Sequence, residues 1–427
     1  MISPKVVRRG LARAEFCVGG WTSSALGRKF AVMHRRWELL LASCLGLVGG
    51  GRGQVAPAEP PPQPPAAAAE GPAAPPLQDL AALLAPIRAK HGVVALGAAV
   101  LVDGRLAALG VDGSRRHGHP EPVTVEDLWH LGSCTKAMTA TLLARYVDRS
   151  ALAWSTTVQQ GLPDLAERVH AAAAGITLEH LLGHRAGLPG GPPEPLWGRL
   201  FRYPGDDRAA RTEVAATLLA APPEAKPGER FHYSNAGYMV AAAMLERCPD
   251  LAGDAGPDWA SRMQRELFAP LGIERGGFGM PGTPEAQQQP WGHVVTAAGK
   301  QARFFDNPSS LGPAGTVHLT LRDWAKFAAL QLGVQPTPPL LSPEALRALH
   351  TPPPGTDYAL GWRVTERPWA PGPILTHAGS NTMWFCVAWL APAARFAVLV
   401  TCNQGDSGAA CDAVAAACIQ RFRPATR

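Results

Sequence analysis

The chain predicts an α/β fold of the α+β type, an antiparallel sheet flanked by helices with an inserted all-α subdomain. Three observations carry that expectation. Apolar runs at 93–102 and 106–111 flank Asp103-Gly104 early in the chain. A second pair, 383–390 and 395–401, flanks Ala391-Pro392 near its end. Between them, from Ser133 to about Leu271, the apolar residues recur mostly at helical spacing. Two strand pairs at opposite ends of a chain complete one sheet when the segment between them folds to one side.

The elements follow in order. Met33-His34-Arg35-Arg36 is basic, and the run from Leu39 to Gly51 is uncharged and mostly apolar. About a dozen such residues suit a signal-peptide core and are too few to span a bilayer. Residues 1–53 are therefore read as an export leader whose start is Met1 or Met33. Leu41-Ala42-Ser43-Cys44 has the form of a lipobox, which would tether the chain to a membrane through Cys44. The shortness of the preceding apolar run favours instead a cysteine inside a cleaved signal. Residues 54–76, rich in Pro and Ala, cannot bury a core and form a semi-extended spacer. The folded domain then covers 77–423.

Within it, Leu80, Leu83, Leu84 and Ile87 give 77–90 an amphipathic helical pattern. Asp103-Gly104 is a hairpin turn, because glycine supplies the positive φ such turns require. Pro- and Gly-rich breaks at 189–195 and 221–228 divide the helical middle, and a final helix is expected from about 407 to 422.

The net charge of +6 suggests an anionic partner until it is located. Residues 1–38 hold eight basic and two acidic side chains, so the other 389 residues carry 32 of each sign. The body is neutral, which argues against nucleic acid as a partner. Six cysteines lie in the body (134, 248, 386, 402, 411 and 418) without the close pairing of zinc sites. Cys411 and Cys418 read as small core residues; one disulfide among the six is left open.

Three short motifs carry chemistry. Ser133-x-x-Lys136 spans nearly one helical turn, which brings an amine beside a hydroxyl, and a helix start leaves the Ser133 N–H unpaired for a developing oxyanion. With 15 Ser and 7 Lys, chance supplies roughly 0.2 to 0.3 such matches, so this motif alone is weak. Tyr233-Ser234-Asn235 is more specific, since the chain has only five Tyr and four Asn. A tyrosine near a lysine can have its pKa lowered and accept a proton, and Asn235 can hold a substrate amide. His377-Ala378-Gly379-Ser380 is the third. His-x-Gly recurs at His130-Leu131-Gly132, so its weight comes from position, just before the C-terminal hairpin. Gly379 at a strand edge would let substrate approach, and the Ser380 N–H can complete an oxyanion hole.

In this order and spacing the motifs resemble the serine β-lactamase and DD-peptidase superfamily, in particular class C β-lactamases and related esterases and peptidases. Further family-like stretches include Leu178 to Pro189, Phe268 to Gly272, Gly312-Pro313-Ala314-Gly315 and Leu360-Gly361-Trp362. The resemblance implies a β-lactamase/transpeptidase-like fold with no cofactor and no metal. It also implies an acyl-enzyme on Ser133, with Lys136 and Tyr233 sharing the proton work. Asn235, His377, Gly379 and Ser380 would bind the substrate, a small molecule or peptide. Class C enzymes usually carry lysine where this chain has His377. Histidine is no permanent cation near neutral pH, which favours a peptide, amide or ester over a dedicated antibiotic hydrolase. A non-catalytic penicillin-recognising or peptidoglycan-binding module is the alternative. His180 and His184, four apart, would share a helical face as zinc ligands do, but no third ligand accompanies them.

Overall fold

A computed structural model of the chain describes residues 76–253, 256–285 and 288–424. The leader at 1–53 and the spacer, apart from Pro76, lie outside the described residues. In chain order the first strands are β1 (Gln78–Asp79), β2 (Ala95–Val102), β3 (Arg105–Gly113), β4 (Trp129–His130), β5 (Gly276–Phe278) and β6 (Gly292–Thr296). They are followed by β7 (Gly299–Arg303), β8 (Val317–Leu319), β9 (Arg363–Thr365), β10 (Ile374–Ser380), β11 (Phe385–Ala391) and β12 (Phe396–Cys402). The main sheet runs β1-β3-β2-β12-β11-β10-β9. Every pairing in it is antiparallel except β1 with β3.

The two predicted hairpins are its centre, joined edge to edge where β12 pairs with β2. Asp103 and Gly104 both have positive φ, 52° and 74°, as a two-residue hairpin with matching twist demands. The second connection is a 3₁₀ turn over Pro392–Ala394 that closes on Arg395 at φ 48°. Side chains alternate between two cores, as strand geometry dictates. Ala95, Ala99 and Leu101 of β2 and Ala397 and Leu399 of β12 join the larger core. Leu96, Ala98 and Val100 of β2 and Val398 and Val400 of β12 face the smaller one. Both faces are buried, so these strands read in sequence as continuous apolar runs rather than as alternating ones. The helices Ala81–His91 and Gly408–Phe422 cover the smaller core, which holds Cys411 and Cys418.

The other face carries the helical middle. The segment after β4 enters a 3₁₀ turn, Gly132–Cys134, and continues as the helix Thr135–Asp148, eleven of whose residues are buried. Helices Asp207–Leu219 and Asn235–Leu245 follow, capped by Asp206 and Ser234, whose side chains accept from the third N–H beyond them. Two features depart from the sequence reading. Residues 285–308, to which no strand was assigned, contain the β6–β7 hairpin. A small sheet, β4-β8-β5, built from strands of two or three residues, was not foreseen. Among the described residues no helix is long and apolar enough to cross a membrane.

The helical layer is pinned by buried charge. Arg211 forms a two-bond ion pair with Glu246, and Glu246 Oε1 also accepts from the Trp259 N–H at 2.8 Å. Both charged residues are almost wholly buried. Arg211→Met strands the Glu246 carboxylate in a dry core, a change that costs about 3–5 kcal/mol. Urea unfolding is expected to show that loss, and Arg211→Met combined with Glu246→Leu is expected to recover part of it.

Candidate active site

The three motifs, which together run from Ser133 to Ser380, meet at one point of the structure. Ser133 sits in the middle of the Gly132–Cys134 turn, and Lys136 one turn later on the helix that continues it. Lys136 Nζ lies 3.1 Å from Ser133 Oγ, 2.7 Å from Asn235 Oδ1 and 2.7 Å from the Ala314 carbonyl oxygen. The lysine is completely buried. Burial disfavours its charged form and pulls its pKa well below the ordinary lysine range.

Tyr233 approaches the same hydroxyl from another side, its OH donating to Ser133 Oγ at 2.8 Å. The expectation that the neighbouring lysine lowers this phenol is reversed in direction. Burial pushes Tyr233 up, against a smaller opposite influence from its bond to Ser133. Burial disfavours the charged form of the lysine as well, and with it the charge that would favour a phenolate. The residues around Tyr233 are fixed by the backbone. Ser234 caps the Asn235–Leu245 helix, its N–H donates to His184 Nδ1 at 3.0 Å, and its hydroxyl donates to the Pro189 carbonyl at 2.6 Å. The His184 ring stacks on the Tyr233 ring with centroids 4.2 Å apart.

That stacking also corrects the shared helical face predicted for His180 and His184. The helix spans only Leu178–Leu182, and His184 lies beyond its end at φ 58°. His180 instead closes a capping box, its Nδ1 accepting from the Thr177 N–H at 3.3 Å. The two rings therefore serve different segments.

His377, Gly379 and Ser380 lie on β10, which pairs with β9 only through Ile374–Thr376. His377 is 8% exposed. Its Nδ1 is 2.7 Å from the Ala378 carbonyl and its Nε2 is 2.9 Å from the Tyr358 hydroxyl. Both nitrogens thus have partners within the protein. Gly379 also has a packing role. A Cβ there would come within 2.0 Å of the Leu131 carbonyl oxygen and 3.0 Å of the Cys134 nitrogen, so its bare Cα seats the nucleophile turn against β10. Gly132, at φ 46°, makes the reciprocal contact, since a Cβ on it would meet the Ser380 nitrogen at 2.4 Å. The two glycines bring the Ser133 and Ser380 N–H groups to neighbouring positions.

Behind this seam Cys134 and Cys386 are both buried, with their sulfurs 3.5 Å apart. All six body cysteines are free thiols. Other features of this region were not assigned a role from the sequence. The Ala314 carbonyl belongs to the Gly312–Gly315 turn and carries no side-chain chemistry. Tyr358 was not singled out. Phe201 and Phe305, 40% and 55% exposed, stack with centroids 5.6 Å apart and so join the segments 187–202 and 285–308.

Similarity to known proteins bears on the family and the fold. The chain is 29% identical over 255 residues to Penicillin-binding protein 4 of Amycolatopsis lactamdurans, covering 58% of this chain and 63% of that one. It is 26% identical over 303 residues to an unguisins hydrolase of Aspergillus campestris, covering 66% and 53%. The chain thus spans about half to two thirds of the length of these curated relatives. Among solved structures, the D-amino acid amidase from Ochrobactrum anthropi superposes with a TM-score of 0.63 at 20% identity, covering 81% of this chain and 99% of that one. The penicillin binding protein from Bacillus halodurans gives 0.63 at 20%, covering 79% and 99%. At such identities the likeness shows the fold. The family model for beta-lactamase matches residues 80–419, and the chain belongs to that family, within the serine β-lactamase and penicillin-binding-protein superfamily.

Proposed function

We propose that the protein is a serine hydrolase that cleaves an amide, peptide or ester through an acyl-enzyme on Ser133. The observation that carries the proposal is the bracketing of one hydroxyl oxygen, with Lys136 Nζ at 3.1 Å and Tyr233 OH at 2.8 Å. The relatives named above include an amidase and a hydrolase, which supports the reaction class.

The buried polar groups suggest an order for the proton transfers. A neutral Lys136 has two N–H bonds, which Asn235 Oδ1 and the Ala314 carbonyl accept. Its lone pair is then free for the Ser133 O–H, which makes it the first base. Serine Oγ attacks the substrate carbonyl carbon while its proton passes to Lys136. The oxyanion is held by the Ser133 and Ser380 N–H groups. Tyr233, kept protonated by burial, gives its proton to the departing nitrogen or oxygen as the bond to carbon breaks. This leaves an ammonium beside a phenolate. In the second half the phenolate takes a proton from water, the resulting hydroxide attacks the acyl carbon, and Lys136 returns its proton to Ser133 Oγ as the acid leaves. Every group ends as it began.

His377 offers no spare nitrogen for a substrate carboxylate in this arrangement, which supports acyl substrates other than β-lactams. The hydrolase would work outside the cytoplasm, on the reading of the leader as an export signal.

Ser133→Ala is expected to remove turnover of a p-nitrophenyl ester while leaving the circular dichroism spectrum unchanged. Wild-type turnover in that variant would sink the assignment, and a wild type that is acylated without turning over would favour the non-catalytic penicillin-recognising module. Because the working lysine is neutral and burial lowers its pKa, kcat/KM should rise with pH and reach its plateau well below the ordinary lysine value of about 10.4. Lys136→Arg, charged at every accessible pH, should abolish that rise together with activity. In a panel of a D-amino acid amide, a p-nitrophenyl ester and nitrocefin, the amide or ester should turn over faster. Nitrocefin as the best substrate would reassign the enzyme as an antibiotic hydrolase.

A further inference from the structure

The two oxyanion donors belong to distant segments, Ser133 at the start of a helix and Ser380 at the end of β10. Contact between Gly132 and β10 sets how close they come, but contact alone does not fix the angle between them. A continuous run of side-chain hydrogen bonds crosses the same seam. The Gly132 N–H donates to His130 Nδ1 at 3.1 Å, so that nitrogen is the acceptor and the ring N–H is on Nε2. Nε2 in turn donates to Asp306 Oδ2 at 2.7 Å. Asp306 Oδ1 accepts from Asn381 Nδ2 at 3.0 Å and from the Asn307 N–H at 2.8 Å. The Asn381 Oδ1 atom accepts from the N–H groups of Met383 and Trp384 at 3.2 and 3.1 Å, which fixes the amide's orientation.

The side chains of His130 and Asp306 are 0% and 7% exposed, and Trp384 closes over them with its ring centroid 6.4 Å from that of His130. Burial alone would raise the Asp306 carboxyl. The His130 ring, Asn381 and the Asn307 N–H overcome that and hold it below the ordinary aspartate range. Hydrogen bonds in such a dry site are strong when satisfied and costly to break. The Asp306 carboxylate hydrogen-bonds both the residue three before Ser133 and the residue after Ser380.

We propose that Asp306, with His130 and Asn381, is a positioning residue that sets the relative placement of the two oxyanion donors without touching substrate. This rests on the acyl-enzyme reading above. Removing an oxyanion donor outright costs about 10²–10³ in kcat, and misplacing one should cost about 10- to 100-fold. Asp306→Ala and Asn381→Ala should therefore lower kcat on a p-nitrophenyl ester by that factor while KM stays within about twofold. The inhibition constant of an arylboronic acid, whose tetrahedral adduct places an oxygen between the donors, should rise in step with the fall in kcat/KM. Asp306→Asn keeps the His130 bond but sets an N–H against the Asn381 amide, so its kcat should fall between those of wild type and Asp306→Ala.

The arms separate the two ideas. If wild type shows no turnover that depends on Ser133, the acyl-enzyme reading fails whatever position 306 does. If Ser133-dependent turnover is present and the variants, folded by thermal melting, keep kcat within twofold, only the network is overturned. A rise in kcat on Asp306→Asn would also overturn it, by showing that the carboxylate acts through repulsion of the oxyanion. Should Asp306→Ala fail to fold, Asp306→Asn and Asn381→Ala carry the same comparison.

Discussion

An amino group sealed from water at position 136 is the constraint on which the rest of the site depends. Burying a lysine is unfavourable unless its N–H bonds find acceptors and its charge is given up. The acceptors come from two parts of the chain far from Lys136, Asn235 at a helix start and Ala314 in a four-residue turn. Each must arrive within about 3 Å, and that requirement shapes the packing around the Thr135–Asp148 helix. The neighbours are correspondingly small: Ala137, Ala140 and Ala144 along the helix, and Gly312 to Gly315 across from it, all buried. The aromatic rings of Tyr233 and Tyr238, 4.8 and 5.4 Å from Nζ, complete the enclosure.

Burial acts oppositely on the proposed base and the proposed acid. The same dry surroundings that lower an amine's pKa raise a phenol's, so Lys136 and Tyr233 are driven toward the two neutral forms. A neutral amine and a neutral phenol on one serine hydroxyl are the two partners that a paired proton transfer needs at its start. In the proposed reaction the ammonium and phenolate that form attract each other at short range, which limits the cost of forming charge in a medium with little water. Neither a more open pocket nor a permanently charged cation beside Ser133 would leave both groups poised in this way.

How much of this was legible in the sequence follows from how local each feature is. Asp103-Gly104 is a turn signal contained in two residues, and the two hairpins could be read because strands buried on both faces leave long apolar runs. Ser133 and Lys136 are one helical turn apart, and Tyr233 and Asn235 flank a cap, so their pairing is set by local geometry. The β6–β7 hairpin escaped notice because Gly292–Thr296 and Gly299–Arg303 hold few apolar residues, and β4, β5 and β8 are too short to show periodicity. The misplacement of His184 has one cause: the helix stops after Leu182, so helical spacing no longer applies two residues later. Asp306 and Asn381 lie 173 and 248 positions from Ser133, and no spacing rule connects residues that only the folded sheet brings together.

The seam between the nucleophile turn and β10 joins the two layers of the fold. One side belongs to the helical layer and the other to the sheet, and the chain meets there with glycine against backbone, at Gly132 and Gly379, and cysteine against cysteine, at Cys134 and Cys386. Small residues let the two backbones approach closely, as a pair of N–H donors from both layers to one oxyanion would require. The arrangement also makes the geometry sensitive to either layer, since a shift of the sheet against the helices displaces one donor and leaves the other in place. Hydrogen bonds from His130 through Asp306 to Asn381 run parallel to that contact. They add directional hydrogen bonds to a contact that the glycines make through backbone alone.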